Sequence, residues 1–385
     1  MFRRLRPAAI GLIALLAATH CTASPGTAPT GPTSTTSPAT TAAPIDPAAS
    51  SNPEASTTTA PPVQATTSNP DAVSSTAAGT PTQPPYCPNT SDARCETVSA
   101  AGASYLEARV IGGTYGFQVL RIGGGVVASL NPDLAFYPAS SLKVLQHLHA
   151  IRWVAAQPDP AAALATPIPI YEDTCTGQGT SWTEPLAGVL EAMMVDSDNQ
   201  RANAVQDYFG RVAINATAVD VVGTSGTVLA HRFGCGGPEN DPANRSTARD
   251  LSRIYERVAL GEVLDAEAGG VFAGLMLGPA WSSLESAVAA GGEVLGLEPA
   301  TVEAFRAGIE PAYKAGWWGT NLSIGGLLRL PAAACEGNPP RAYAFAAFVD
   351  GADAVADGFD VKDLVTVVLR EEIRAALLDF SRCPG

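Results

Sequence analysis

The sequence predicts an α+β domain, an α/β sandwich in the broad sense. It is built on one antiparallel sheet with strands from both chain ends, flanked by helices, with an all-helical region inserted between them. Three observations point there. Strand-like segments come early, at 115–130, and return late, at 321–330 and 342–349. The intervening apolar pattern has helical spacing. A final helical pattern at 361–380 closes the chain.

Taken in order, residues 1–21 read as a secretory signal: Arg3, Arg4 and Arg6 precede an apolar run from Ala8 to Ala18. That run is too short to cross a bilayer as a mature helix. Cys21 stands where a lipoprotein carries its acylated cysteine, but Ala18, Thr19 and His20 fit that processing pattern badly, so lipidation and membrane anchoring stay open. Residues 22–85 are almost entirely Ser, Thr, Pro, Ala and Gly. Such a segment buries too little surface to offset its ordering entropy and reads as a disordered tether. As a flexible coil of 64 residues (85 − 22 + 1), it reaches about 45 Å root-mean-square. The folded domain is expected over 86–385.

Within that domain, two apolar stretches around Gly123, Gly124 and Gly125 predict a β-hairpin over 115–130. Residues 131–138 lead into a helix whose Val144, Leu148 and Ile151 form one stripe. A second helix is marked by Leu186, Val189, Leu190, Met193 and Met194, with Thr183 as N-cap and Pro185 in the first turn. A third runs over 247–258, and there is no internal repeat.

The formal net charge of −14 repels phosphate backbones, which argues against nucleic acid as a partner. Of seven cysteines, removing Cys21 leaves an even set in an exported protein. Pairing by sequence neighbours predicts Cys87 with Cys95, Cys175 with Cys235, and Cys335 with Cys383. No C-x-x-C is present, so no metal site and no cofactor is expected.

The chemistry concentrates at three places. Ser140 and Lys143, in Pro138-Ala139-Ser140-Ser141-Leu142-Lys143, are three apart at a helix start and share one face. There the positive helix end favours developing negative charge. A serine hydroxyl needs a base to become a nucleophile, and a lysine with lowered pKa supplies one. Ser197-Asp198-Asn199 lies 57 residues on (197 − 140), directly after the second helix. Its serine can relay a proton to a leaving amine, and its asparagine can bind a substrate amide or orient the lysine. Lys314-Ala315-Gly316 follows 117 residues later (314 − 197), ahead of Trp317, Trp318 and a strand. An ammonium there can hold a carboxylate, and glycine lets a substrate backbone approach.

These three elements, in this order, resemble the S-x-x-K, S-D-N and K-T-G motifs of penicillin-recognising serine enzymes, closest to class A β-lactamases. The resemblance covers about residues 100 to 385, including 190–204 around S-D-N and 246–258. It implies the β-lactamase/transpeptidase-like fold, acylation of Ser140, and proton transfer by Lys143 and Ser197. It also implies contacts of Asn199 with the substrate amide and of Lys314 with its carboxylate. The oxyanion hole would be the backbone N–H groups of Ser140 and Trp317, with Gly316 allowing close approach. The implied partner is a small-molecule β-lactam or a peptidoglycan stem peptide, met by a monomer in the cell envelope or outside it.

Two departures stand out. Ala315 replaces the family's hydroxyl residue. The loop glutamate that activates the deacylating water in class A enzymes has no counterpart in 231–244 (HRFGCGGPENDPAN), where counting forward from Ser197 reaches Phe233 or Gly234. Glu239, the nearest carboxylate of its kind, reads as a solvated loop residue. The alternatives are a D-alanyl-D-alanine peptidase or penicillin-binding protein, and an inert tethered binding domain. A Ser-His-Asp hydrolase lacks its G-x-S-x-G. His147 falls on the face of Ser140 and Lys143, where it can modulate them or sit on the helix surface, while His147 and His149 diverge on a helix.

Overall fold

The computed structural model describes Cys87 and residues 93–332, 341–352, 354–357 and 359–382. The predicted leader, the predicted tether and the pairing of Cys335 with Cys383 lie outside the described residues.

The described chain opens with α1 (Ala93–Glu107), which buries Cys95, Ser99, Gly102 and Leu106 at helical spacing. A two-residue strand β1 (Val110–Ile111) precedes the hairpin of β2 (Thr114–Arg121) and β3 (Gly125–Leu130), as the glycine-centred pattern predicts. Gly123 turns the chain with φ +71°. A 3₁₀ turn, Ala139–Leu142, then runs into α2 (Lys143–Ala155) and α3 (Pro160–Leu164).

A small hairpin follows, β4 (Pro167–Asp173) with β5 (Gln178–Pro185), and then the helices α4 (Leu186–Met194), α5 (Asn199–Phe209) and α6 (Arg211–Ala216). Thr183 is not the cap of α4. It lies within β5 opposite Pro169, and Pro185 itself is the N-cap residue, so strand pairing takes the position that capping chemistry had suggested.

Beyond the loop 231–244 come α7 (Ala248–Ala259), α8 (Ala266–Gly274), α9 (Ser282–Leu295) and α10 (Pro299–Ala307). The chain then re-enters the sheet through β6 (Glu310–Trp318), β7 (Asn321–Arg329) and β8 (Ala342–Asp350). After the short β9 (Ala354–Val355) it ends in α11 (Val361–Arg382). Lys314 therefore stands inside β6, not ahead of a strand.

The five-stranded sheet has the order β3-β2-β8-β7-β6 with antiparallel pairing throughout. Its strands come from both ends of the domain, as expected. Alternation along β8 feeds two cores: Ala344, Ala346 and Phe348 join the core of α2, α4, α5 and α7, and Tyr343, Phe345, Ala347 and Val349 join that of α1, α9 and α11. With both faces covered, β8 reads as a continuous apolar run. Buried Glu372 of α11 accepts the Tyr343 hydroxyl at 2.6 Å and lies among Arg94, Arg121 and Arg341. That cluster joins the two terminal helices to the sheet.

Disulfides join Cys87 to Cys95 and Cys175 to Cys235, as neighbour pairing predicts. Among the described residues, no helix is long and apolar enough to cross a membrane.

Candidate active site

Ser140 sits in the 3₁₀ turn between the edge strand β6 and the N-terminus of α2. The residue before it, Ala139, holds φ +44°, a left-handed conformation that costs a non-glycine residue of order 1–3 kcal/mol and persists only where its surroundings impose it. Ser140 stays half-buried, whereas Ser141 is fully buried with its hydroxyl donated to Pro138 O at 2.8 Å. Of the two adjacent serines, Ser141 is thus committed to the turn.

Lys143 is also fully buried. Its Nζ donates to Ser197 O at 2.6 Å and Asn199 Oδ1 at 2.7 Å, and Ser197 Oγ lies 3.4 Å away. None of these partners is a carboxylate. Burial, and secondarily the charge of Lys314, push the Lys143 pKa down to about 7, with Asp198 opposing. The lysine can therefore be neutral near neutral pH.

The Ser197–Asn199 loop is fixed by helix capping. Asp198 is the N-cap of α5 and accepts Arg201 N at 2.8 Å. Arg201 in turn donates to Asp198 Oδ2 at 3.1 Å and to Glu184 Oε2 of β5 at 3.0 Å. Ser197 takes φ +59°, which directs its carbonyl to Lys143.

On the opposite wall, strand alternation puts Lys314 and Gly316 on one face of β6 and Ala315 and Trp317 on the other. Ala315 packs against the core of the terminal helices, and Trp317 is 74% exposed. Lys314 is buried, and desolvation lowers its pKa to about 8 against the opposing charge of Asp196. Gly316 has a strict steric reason. A Cβ there would lie 2.6 Å from Pro138 O and 2.7 Å from Ser140 N, so only glycine lets β6 lie against the serine turn.

Counting along the sequence reaches a residue that lies beside Lys143. The Phe233 ring centroid is 5.2 Å from Lys143 Nζ, so an aromatic ring and not a carboxylate flanks the lysine. Asn203 holds this residue at both ends, donating to Phe233 O and accepting Phe233 N, each at 2.9 Å. Gly234 passes so close to Asn199 that a Cβ would meet its Nδ2 at 2.7 Å. Glu239 accepts Gly237 N at 2.8 Å, and Gly237 in turn abuts the Trp318 ring.

His147 does not reach Lys143 through any hydrogen bond in the structure. Its Nε2 meets Phe272 O at 3.0 Å, and complete burial lowers its pKa to about 4, so it is a neutral core group. His149 Nδ1 meets Thr217 Oγ1 at 2.7 Å. The structure thus brings Ser140, Lys143, Ser197, Asn199, Lys314 and Gly316 to one place. Sequence reasoning missed Asn203, although its spacing of four from Asn199 puts both on one face of α5. It also missed Ser323, which only the β6–β7 register sets opposite Gly316.

The sequence model of the beta-lactamase enzyme family matches residues 101–358. No curated protein matches the chain. Among solved structures, a beta-lactamase from Desulfarculus baarsii is similar at 19% identity and TM-score 0.55, over 72% of this chain and 97% of its own. One from Sphaerobacter thermophilus gives 19% and 0.54, over 73% and 97%. A mutant of PBP-A, in an acyl-enzyme complex with penicillin G, gives 18% and 0.50, over 74% and 97%. At these identities the likeness is one of fold.

Proposed function

Because the chain belongs to the beta-lactamase enzyme family, serine hydrolases acting on amide bonds, we propose that Ser140 is its acyl-accepting nucleophile. Neutral Lys143 takes the Ser140 hydroxyl proton as the oxygen attacks the carbonyl carbon of a β-lactam or D-Ala-D-Ala-like amide. The backbone N–H groups of Ser140 and Trp317 receive the oxyanion. The proton then passes by way of Ser197 to the amide nitrogen, the C–N bond breaks, and the acyl group remains as an ester on Ser140. Asn199 contacts the substrate amide and Lys314, when charged, its carboxylate. The observation that carries this reading is the buried Lys143, lowered to about 7 and fixed between Ser197 and Asn199 at the start of the helix that Ser140 precedes.

Hydrolysis of the ester needs a further base aimed at water. With Phe233 beside Lys143 and Glu239 engaged by Gly237, we propose that release is slow and the adduct accumulates. That behaviour is shared with the peptidase and penicillin-binding alternative. The two disulfides support an oxidising, exported setting, in which the leader directs export and 22–85 tethers the 86–385 domain.

Intact mass after exposure to penicillin G is the direct test. One penicilloyl group should appear on the unaltered chain, none on Ser140→Ala, and a slower but real adduct on Ser141→Ala. Labelling that survives in Ser140→Ala but not in Ser141→Ala overturns the assignment.

A further inference from the structure

The carbonyl of Pro138, two residues before Ser140, carries an unusual load. It accepts Ser141 N at 3.1 Å, Ser141 Oγ at 2.8 Å and Ser323 Oγ at 2.5 Å. The first two bonds are internal to the 3₁₀ turn and travel with it. The third is the one that fastens the turn to the sheet. Ser323 is fully buried in β7 and pairs with Gly316 of β6. It therefore reaches the Pro138 carbonyl past Gly316, where a Cβ would come within 2.5 Å of Ser323 Oγ and 2.6 Å of Pro138 O.

Resting on the reading of Ser140 as nucleophile, we infer that Ser323 is a positioning residue, whose hydroxyl anchors the strained Pro138–Ala139 link and sets Ser140 against the edge of β6. Ala139 at φ +44° will relax unless something outside the turn opposes it. Any relaxation shifts both the Ser140 hydroxyl and the Ser140 N–H relative to β6. Ser323 does not touch the reacting atoms, and its hydroxyl is consumed by Pro138. Its effect should thus fall on the rate of bond formation and not on the encounter. A misplacement of about 1 Å at a reacting group costs roughly 10²-fold.

The test measures acylation by a chromogenic cephalosporin in stopped flow, on folded protein checked by thermal melting. Ser323→Ala should lower the saturating acylation rate constant roughly 10–100-fold. The half-saturating concentration and the pH midpoint of the rising limb should stay where they are. The pair Ser323→Thr and Ser323→Val, near-equal in volume and differing in the hydroxyl, guards against a packing effect: threonine should acylate at least about tenfold faster than valine. Because Ser141 serves the same carbonyl, Ser141→Ala combined with Ser323→Ala should be non-additive. A Ser323→Ala rate equal to that of the unaltered chain, or equal rates for Thr and Val, overturns the inference and leaves Ser140 standing. No adduct on the unaltered chain overturns the reading of Ser140 and this inference with it.

Discussion

In the proposed mechanism Lys143 and Lys314 divide the work at the site by their charge states. Lys143 has to be neutral to take a proton, and with its pKa lowered to about 7 it becomes so as pH rises through that value. Lys314 has to be charged to hold a carboxylate, and with its pKa lowered to about 8 it loses that charge not far above. Acylation at limiting substrate should therefore rise through about pH 7 and fall through about pH 8. A profile rising steadily to pH 10 would contradict both assignments. Phe233 gives a second expectation at this scale. General-base help is worth about 10²–10⁴-fold, so turnover should show a burst followed by a slow phase that Glu239→Gln leaves unchanged. Phe233→Glu, its backbone still clamped by Asn203, should shorten the adduct lifetime at least about tenfold. Steady turnover without a burst, or a Glu239→Gln variant that abolishes release, would place the missing base elsewhere.

Element by element, α2 carries both Lys143 and the buried His147, and the histidine makes stability depend on pH. Its folded pKa of about 4 lies below the ordinary 6.5, so between those values the unfolded chain binds a proton that the folded chain refuses. Stability from this group is complete above 6.5 and is lost as pH falls toward 4, a loss of about 2 kcal/mol by pH 5. His147→Leu should flatten the fall of the urea midpoint between pH 7 and 5, even though Phe272 O loses its partner; an unchanged slope would refute it. The same helix shows what a sequence makes legible. Val144, Leu148 and Ile151 announce it, as the glycine turn announces β2–β3, because one pattern in a short window decides each. The β4–β5 hairpin was not legible, since β5 is almost wholly exposed and has no apolar alternation to read. Likewise β6 hides behind its motif: Lys314 and Gly316 are strand residues buried for the site's sake, which breaks the pattern expected of an edge strand. Ser140, Lys143 and Asn199 could be found from local motifs. The spacing of Asn203 shows only that it shares a helix face with Asn199 and not that it clamps Phe233, and the bond of Ser323 to Pro138 O is tertiary and encoded by no spacing.

For the described domain as a whole, the sheet joins its early and late strands while the inserted helical region, which contains Lys143, Ser197 and Asn199, is closed by one covalent link. Cys175–Cys235 spans a sequence separation of 60, and Cys87–Cys95 one of only 8. Closing loops of those sizes removes unfolded-state entropy worth about 4 and about 2.5 kcal/mol respectively. The longer link also fixes Cys235, two residues past Phe233, to the β4–β5 turn. Phe233 itself, however, is held by Asn203 through two hydrogen bonds that do not involve the disulfide. Stability and chemistry should therefore separate. Cys175→Ala with Cys235→Ala should lower the melting temperature by roughly 8–16 °C, and by more than Cys87→Ala with Cys95→Ala does. At 25 °C the still-folded double variant should be acylated at a saturating rate within about threefold of the unaltered chain, because one hydrogen-bonded clamp keeps the loop in register. Melting curves beside stopped-flow traces decide the matter. An unchanged melting temperature would refute the covalent share of the stability. A collapse of acylation in protein that is still folded would mean that the disulfide, and not Asn203, holds Phe233 beside Lys143.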